Sequence, residues 1–219
     1  MRYRARVTDT TVSTDGDRAD LAAGGPRPLS TRAFGTLLVA LGAVGFGGSV
    51  WLAIEKVLKL ADPDRVTSCS INPFLDCGVA MGSWQGSLFG FPNPFLGVAA
   101  FPVVITTGVV LLAGARLPRW YHLSLLGGTV LGQALIFFLM WTSFYALFAL
   151  CPACMVVWTI MWPLLWFQVV HAVQEGHLRL GDGLRGLVLG YRGVILVIGY
   201  VVAVAWILFA VGPALIASF

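Results

Sequence analysis

Charged residues cut the chain into long apolar tracts. Between Arg32 and Glu55 lie 22 residues without a charge, between Asp76 and Arg116 lie 39, between Arg119 and Glu175 lie 55, and 27 follow Arg192. No tract carries the alternating strands of a membrane barrel, which leaves the α-helix as the spanning structure that satisfies its own backbone in lipid. A helix needs about 20 residues to cross a hydrocarbon core of about 30 Å. The 55-residue tract therefore holds two helices, and the 39-residue tract holds one helix and an apolar loop. The pattern predicts five spans, at about 33–54, 95–115, 120–144, 150–170 and 193–216.

Composition agrees with an all-α polytopic membrane protein. The chain is 58% hydrophobic and 11% charged, with a mean hydropathy of +0.86, more apolar surface than a soluble domain can bury. The first tract follows a 32-residue polar leader and lacks a small-residue cleavage site, so it is expected to remain as the first helix. The leader is rich in Asp, Thr, Gly and Pro and is expected to be mobile.

Basic residues set the orientation. Arg2, Arg4, Arg6, Arg18, Arg27 and Arg32 in the leader, Arg116 and Arg119 after span 2, and Arg179, Arg185 and Arg192 after span 4 make 11 of the 14 Lys and Arg residues. All 11 fall on one side. That side is expected to be cytoplasmic, in a plasma (inner) membrane, which puts the loop between spans 1 and 2 outside. The net charge of +4 then reflects orientation, since no basic face interleaved with aromatics suggests nucleic acid. The spans contain no Asp, Glu, Lys or Arg, which weighs against ion pumps, channels and proton-coupled transporters.

Chemistry resides in four cysteines. Cys69 and Cys77 lie in the loop "TSCSINPFLDCG", and Cys151 and Cys154 form "CPAC" at the start of span 4. The predicted topology brings all four to the external face, where oxidation and exchange are the expected thiol chemistry. Pro152 suits the first turn of a helix, placing Cys151 near the N-cap and Cys154 one turn deeper. The free N–H groups and positive dipole end there favour a thiolate, hence a nucleophile. Two inert disulfides remain a second reading. A four-cysteine zinc site is a third, disfavoured because one arm has seven intervening residues and the other enters the bilayer.

Other residues have plainer readings. Trp51, Trp120, Tyr121, Tyr145 and Tyr191 fall near span ends, as interfacial aromatics do. Glycines such as those in "GAVGFGG" let helices approach closely. His122, His171 and His177 map to the cytoplasmic side, away from the thiols.

The stretch "CSINPFLDCGVAMGSWQGSLFGFPNPFLG" (69–97) followed by "CPAC" (151–154) resembles the vitamin K epoxide reductase family, particularly its bacterial members. The resemblance implies a four-helix bundle around a quinone site, here with a fifth transmembrane helix. Its organisation reads as a flexible cytoplasmic leader (1–32), a catalytic bundle (33–170) with an extracytoplasmic loop (55–94), a cytoplasmic connection (171–192) and the fifth helix (193–219). Bacterial relatives take electrons from a thioredoxin-like partner and pass them to the membrane quinone pool, while animal relatives act on vitamin K and its epoxide. By the same resemblance, Cys154 faces a quinone of menaquinone, ubiquinone or vitamin K type, and Cys151 pairs with Cys154 or Cys77. Cys69 takes the mixed disulfide with the partner. Ser83, Phe89 and Asn93 match the family's loop residues, Asn93 as donor to a quinone carbonyl; read alone, Asn93 is a turn residue between Pro92 and Pro94, and Ser83 fits a local loop hydrogen bond as well as a site role. Trp158 stands where some relatives carry a tyrosine that bonds the second carbonyl. Some relatives continue into a fused thioredoxin-like domain, whereas this chain stops at Phe219, so the partner is expected to be a separate protein.

Overall fold

The computed structural model describes residues 28–70, 76–147 and 149–216. The leader's expected mobility therefore falls almost wholly outside the described residues. The elements are α1 (Thr31–Ala61), the short α2 (Cys77–Gly82), a 3-10 turn (Trp84–Ser87), α3 (Pro94–Leu112), α4 (Arg119–Thr142), α5 (Pro152–Gln174), α6 (Asp182–Gly190) and α7 (Arg192–Ile216). A π-helical turn, Ser143–Leu147, continues α4. Five of these helices are long and apolar enough to cross a membrane, matching the five predicted spans.

The helix ends follow local chemistry. Ser30 caps α1 by accepting a hydrogen bond from Ala33 N at 3.2 Å. The helix does not stop with the apolar tract at 54 but runs to Ala61. Glu55–Ala61 contains good helix formers and neither Gly nor Pro, so the charges mark an interface rather than a helix end. Pro94 occupies the first turn of α3, and Gly114, at φ +85°, turns the chain after it. Gly176, at φ +71°, does the same after α5.

α1 and α3 pack most intimately because glycines line their contact. A Cβ on Gly108 would come within 2.7 Å of the Gly35 carbonyl oxygen, and one on Gly45 within 2.3 Å of the Phe101 ring. α5 packs on α1 and on α4. The core between them contains Phe34, Leu38, Phe101, Ile136 and Leu164. α3 and α4, consecutive in sequence, diverge from their short connection and barely touch. That divergence opens the side of the bundle.

α7 docks on the outer flank of α5. Trp162 Nε1 donates to Leu196 O at 3.2 Å, Trp166 Nε1 donates to Arg192 O at 2.8 Å, and Tyr200 Oη donates to Thr159 O at 2.6 Å. A Cβ on Gly199 would fall 2.4 Å from the Trp162 indole, so glycine is required for this approach.

Candidate active site

The loop cysteines are built onto the outward extension of α1. Glu55 is buried, and its carboxylate accepts from Ser68 Oγ at 2.5 Å and Ser68 N at 3.3 Å, next to Cys69. Its neighbour Lys56 donates to Met81 O in α2, which Cys77 begins. Asp76 caps α2 by accepting from Gly78 N at 2.7 Å and also accepts from Ser70 Oγ. Adjacent residues of one helix thus grip both flanks of the loop. Between those grips Cys69 and Cys77 form a buried disulfide.

Cys151 is the N-cap of α5, with Pro152 in the first turn, and its Sγ accepts from Cys154 N at 3.4 Å. That Sγ lies 3.1 Å from Cys77 Sγ. Cys151 is 1% exposed and Cys77 0%, so water does not separate them. A hydrogen bond from the Cys154 side chain holds the Cys151 thiol below the ordinary cysteine range, against burial, which raises it. The backbone N–H groups of Cys154 and Ala153 assist, and the negative charge of Asp76 opposes. The sulfur atoms of Cys69, Cys77 and Cys151 converge within 4.8 Å. Two of them are joined as a disulfide and offer no thiolate to a metal, so the cluster is a disulfide facing a nucleophilic thiol.

Cys154 is half-buried and borders a second space. It lines a cavity of about 530 Å³ where α3 and α4 diverge, walled also by α5 and by Ser49 and Leu52 of α1. On α4 the lining runs from Tyr121, next to Trp120, to Leu139, a length of about 27 Å at 1.5 Å per residue. The walls are apolar apart from Ser49, Asn93, Tyr121, Ser124 and Thr129. A long, mostly apolar slot with a thiol at one end fits a lipid-soluble quinone, whose ring can meet the thiol and whose tail needs no polar partner.

The expected ligand residues fare differently. Trp158 lines the slot beside Cys154 and meets Phe144 edge-on at 6.4 Å. Asn93 also lines it, but its Nδ2 donates to Gln85 O at 2.7 Å and its Oδ1 accepts from Leu88 N at 3.1 Å. Ser83 Oγ donates to Ala80 O at 2.8 Å and accepts from Gly86 N at 3.2 Å, capping the 3-10 turn. Both side chains are engaged in shaping the loop. Phe89 is exposed and lines no part of the slot.

Sequence reasoning missed three things. Tyr121 is not simply an interfacial aromatic: it lines the deep end of the slot, with its hydroxyl 2.7 Å from Thr107 Oγ1. Gln85 is buried against the loop, and only its place between Ser83 and Phe89 could have flagged it. The three histidines lie far from the thiols as expected, yet gather: His122 is 5.4 Å from His171 and 4.9 Å from His177, between ring centroids.

Residues 36–169 match the family model described as vitamin K epoxide reductase family. No individual curated protein matches the chain.

Proposed function

The chain belongs to the vitamin K epoxide reductase family, and we propose that within it this protein is a quinone-dependent thiol oxidase that reoxidises an extracytoplasmic thioredoxin-like partner. Membership makes it a membrane oxidoreductase that links disulfide chemistry to a quinone. The observation that carries the finer reading is the 3.1 Å approach of Cys151 Sγ to Cys77 Sγ, with Cys154 at the mouth of the slot.

The relay runs by thiol–disulfide exchange. Reduced partner attacks Cys69 of the Cys69–Cys77 disulfide, and its second thiol resolves the mixed disulfide, leaving the partner oxidised and two loop thiols. Cys77 thiolate then attacks Cys151 in a Cys151–Cys154 disulfide and releases Cys154 as thiol. Cys69 attacks Cys77, restoring the loop disulfide and releasing Cys151. The described arrangement, with Cys69–Cys77 joined and Cys151 and Cys154 free, corresponds to this point. A quinone held in the slot against Cys154 and Trp158 would supply the final two-electron, two-proton sink. Cys151 and Cys154 give up those electrons and protons and close their own disulfide.

Within this reading, Cys154 is the exit cysteine, Cys69 the entry cysteine, and Trp158 a wall of the quinone site. Ser83 and Asn93 position the loop. The leader and the connection 171–192 face the cytoplasm, a placement supported by the 11 basic residues on that side. The full chain reconstituted in vesicles with a reduced thioredoxin-like protein and menaquinone is expected to oxidise the partner one disulfide per quinol. Cys154→Ser is expected to abolish quinol formation while leaving the helical fold intact. Undiminished turnover in that variant would remove Cys154 from the exit position, and turnover only of vitamin K epoxide would replace the oxidase reading.

A further inference from the structure

A smaller cavity of about 70 Å³ adjoins the slot and shares Asn93, Cys154 and Trp158 with it. Of the four cysteines, Cys154 alone lines it. Unlike the slot it is walled by polar groups: Lys56 of α1, Ser83 and Gln85 of the loop, and Thr142 and Ser143 where α4 passes into its π-helical turn. Gln85 is 8% exposed, and its Oε1 is buried without a hydrogen-bond partner among the described residues. That atom only accepts, so a donor must complete it. The hydroxyls of Ser83 and Thr142 already donate elsewhere, to Ala80 O at 2.8 Å and Leu139 O at 3.0 Å. Water fits the need. At about 30 Å³ each, two waters have room, and the Lys56 ammonium, which gives one of its N–H groups to Met81 O, has others to offer them.

We propose that water in this cavity, anchored by donating to Gln85 Oε1, carries a proton from the Lys56 ammonium to the sulfur of Cys154. The inference rests on the relay above and supplies a step that it lacked. When Cys77 attacks Cys151, the Cys77–Cys151 bond forms, the Cys151–Cys154 bond breaks, and the electron pair stays on Cys154. A thiolate facing an apolar slot is costly to bury. Water protonates that sulfur as it leaves, and Lys56 returns a proton to the water. Lys56 is half-buried on the outward extension of α1 and regains its proton from the outer water, into which the Cys77 thiol released one on ionising. Protons therefore balance. Lysine suits the task because its ammonium can give up a proton, whereas the guanidinium of arginine stays charged. Gln85 is a positioning residue for the water, and its own turn is held by Asn93 through Gln85 O at 2.7 Å and by Ser83 through Gly86 N at 3.2 Å.

The test uses the full chain with both disulfides closed, in quinone-free vesicles, mixed with dithiothreitol, quenched in acid and mass-mapped over time. Wild type is expected to release Cys154 more slowly in deuterated water, at saturating dithiothreitol. Lys56→Arg keeps the charge and a donor for Met81 O but has no proton to give. Its release of Cys154 is expected to fall roughly 100-fold, the low end of general-acid catalysis, and to lose the isotope effect, while Cys69–Cys77 is reduced as in wild type. Gln85→Leu keeps Lys56 but loses the water's acceptor, and its release is expected to fall about tenfold. Wild-type release in either variant, or equal slowing of both disulfides in Lys56→Arg, overturns the proton path while leaving the relay intact. Failure of wild type to pass through a Cys77–Cys151 disulfide overturns both.

Discussion

Gly97→Ala tests whether the width of the slot is set by the α1–α3 contact. A Cβ at position 97 would lie 2.1 Å from Ser49 Oγ and 2.8 Å from Ser49 Cβ. Rotating Ser49 removes the first clash and leaves the second, because Cβ does not move with χ1. Ordinary contact begins near 3.4 Å, so the helices must part by about 0.6 Å, against the close packing of an interior. Such overpacking costs about 1–3 kcal/mol. Ser49→Gly alone removes a buried side chain and adds a helix-interior glycine, at about 0.5–1 kcal/mol. In the double variant the clash has no partner. The two costs should therefore fail to add, with a coupling of at least about 1 kcal/mol in favour of the double variant. Reversible unfolding by sodium dodecyl sulfate in mixed micelles measures all three variants. Turnover follows the same order, because Gly97 sits on the first turns of the helix that begins beside Asn93. Additivity within about 0.5 kcal/mol would refute the contact as the determinant of slot width.

Other perturbations report on the sulfur relay. Cys69→Ser leaves Cys77 free at 3.1 Å from Cys151 Sγ, and acid-trapped mass mapping is expected to find a Cys77–Cys151 disulfide as the main product. Because the folded-state thiol of Cys151 titrates below the ordinary cysteine value, its thiolate persists as pH falls through about 8.5 and is lost only below its own lowered value. Alkylation of Cys151 in a Cys77→Ser background should therefore stay fast at that pH. Cys154→Ala removes the leading cause and moves the profile up, and Asp76→Asn removes an opposing charge and moves it down. Glu55→Ala leaves the Ser68 N–H and hydroxyl without their acceptor, at about 1–3 kcal/mol. Dithiothreitol titration should then reduce Cys69–Cys77 at lower reductant, with Glu55→Gln intermediate.

The sequence disclosed elements whose cause is local. Uncharged tracts of sufficient length had to become spans, and Pro152 before an apolar run had to start a helix, which fixed Cys151 at the N-cap. It did not disclose what depends on distant contacts. The end of α1 was misplaced because Glu55 and Lys56 read as loop charges, whereas each is consumed by the loop it grips. Tyr121 was read by its nearness to a span end, but α3 and α4 diverge around it and turn it inward. Asn93 was assigned a ligand role by resemblance, and only the fold of the 3-10 turn reveals that its amide is already bonded twice.

The fifth helix illustrates how far outside the reacting atoms their surroundings are fixed. Trp206 of α7 meets Phe144 edge-on at 5.7 Å, and its Nε1 donates to Tyr145 Oη at 3.4 Å. Both partners lie in the π-helical turn that continues α4. Phe144 is buried and meets Trp158, which lines the slot next to Cys154. A π turn inserts an extra residue into the helical repeat and so re-aims the side chains that follow. Here the re-aimed pair divides the work: Phe144 turns into the core, while Tyr145 stays exposed and within reach of α7. Since α5 is also bonded to α7 through Trp162 and Trp166, the two walls that meet at Trp158 are tied to the same outer helix. Rigid placement of that indole thus depends on a segment that contributes no atom to the lining of the slot among the described residues.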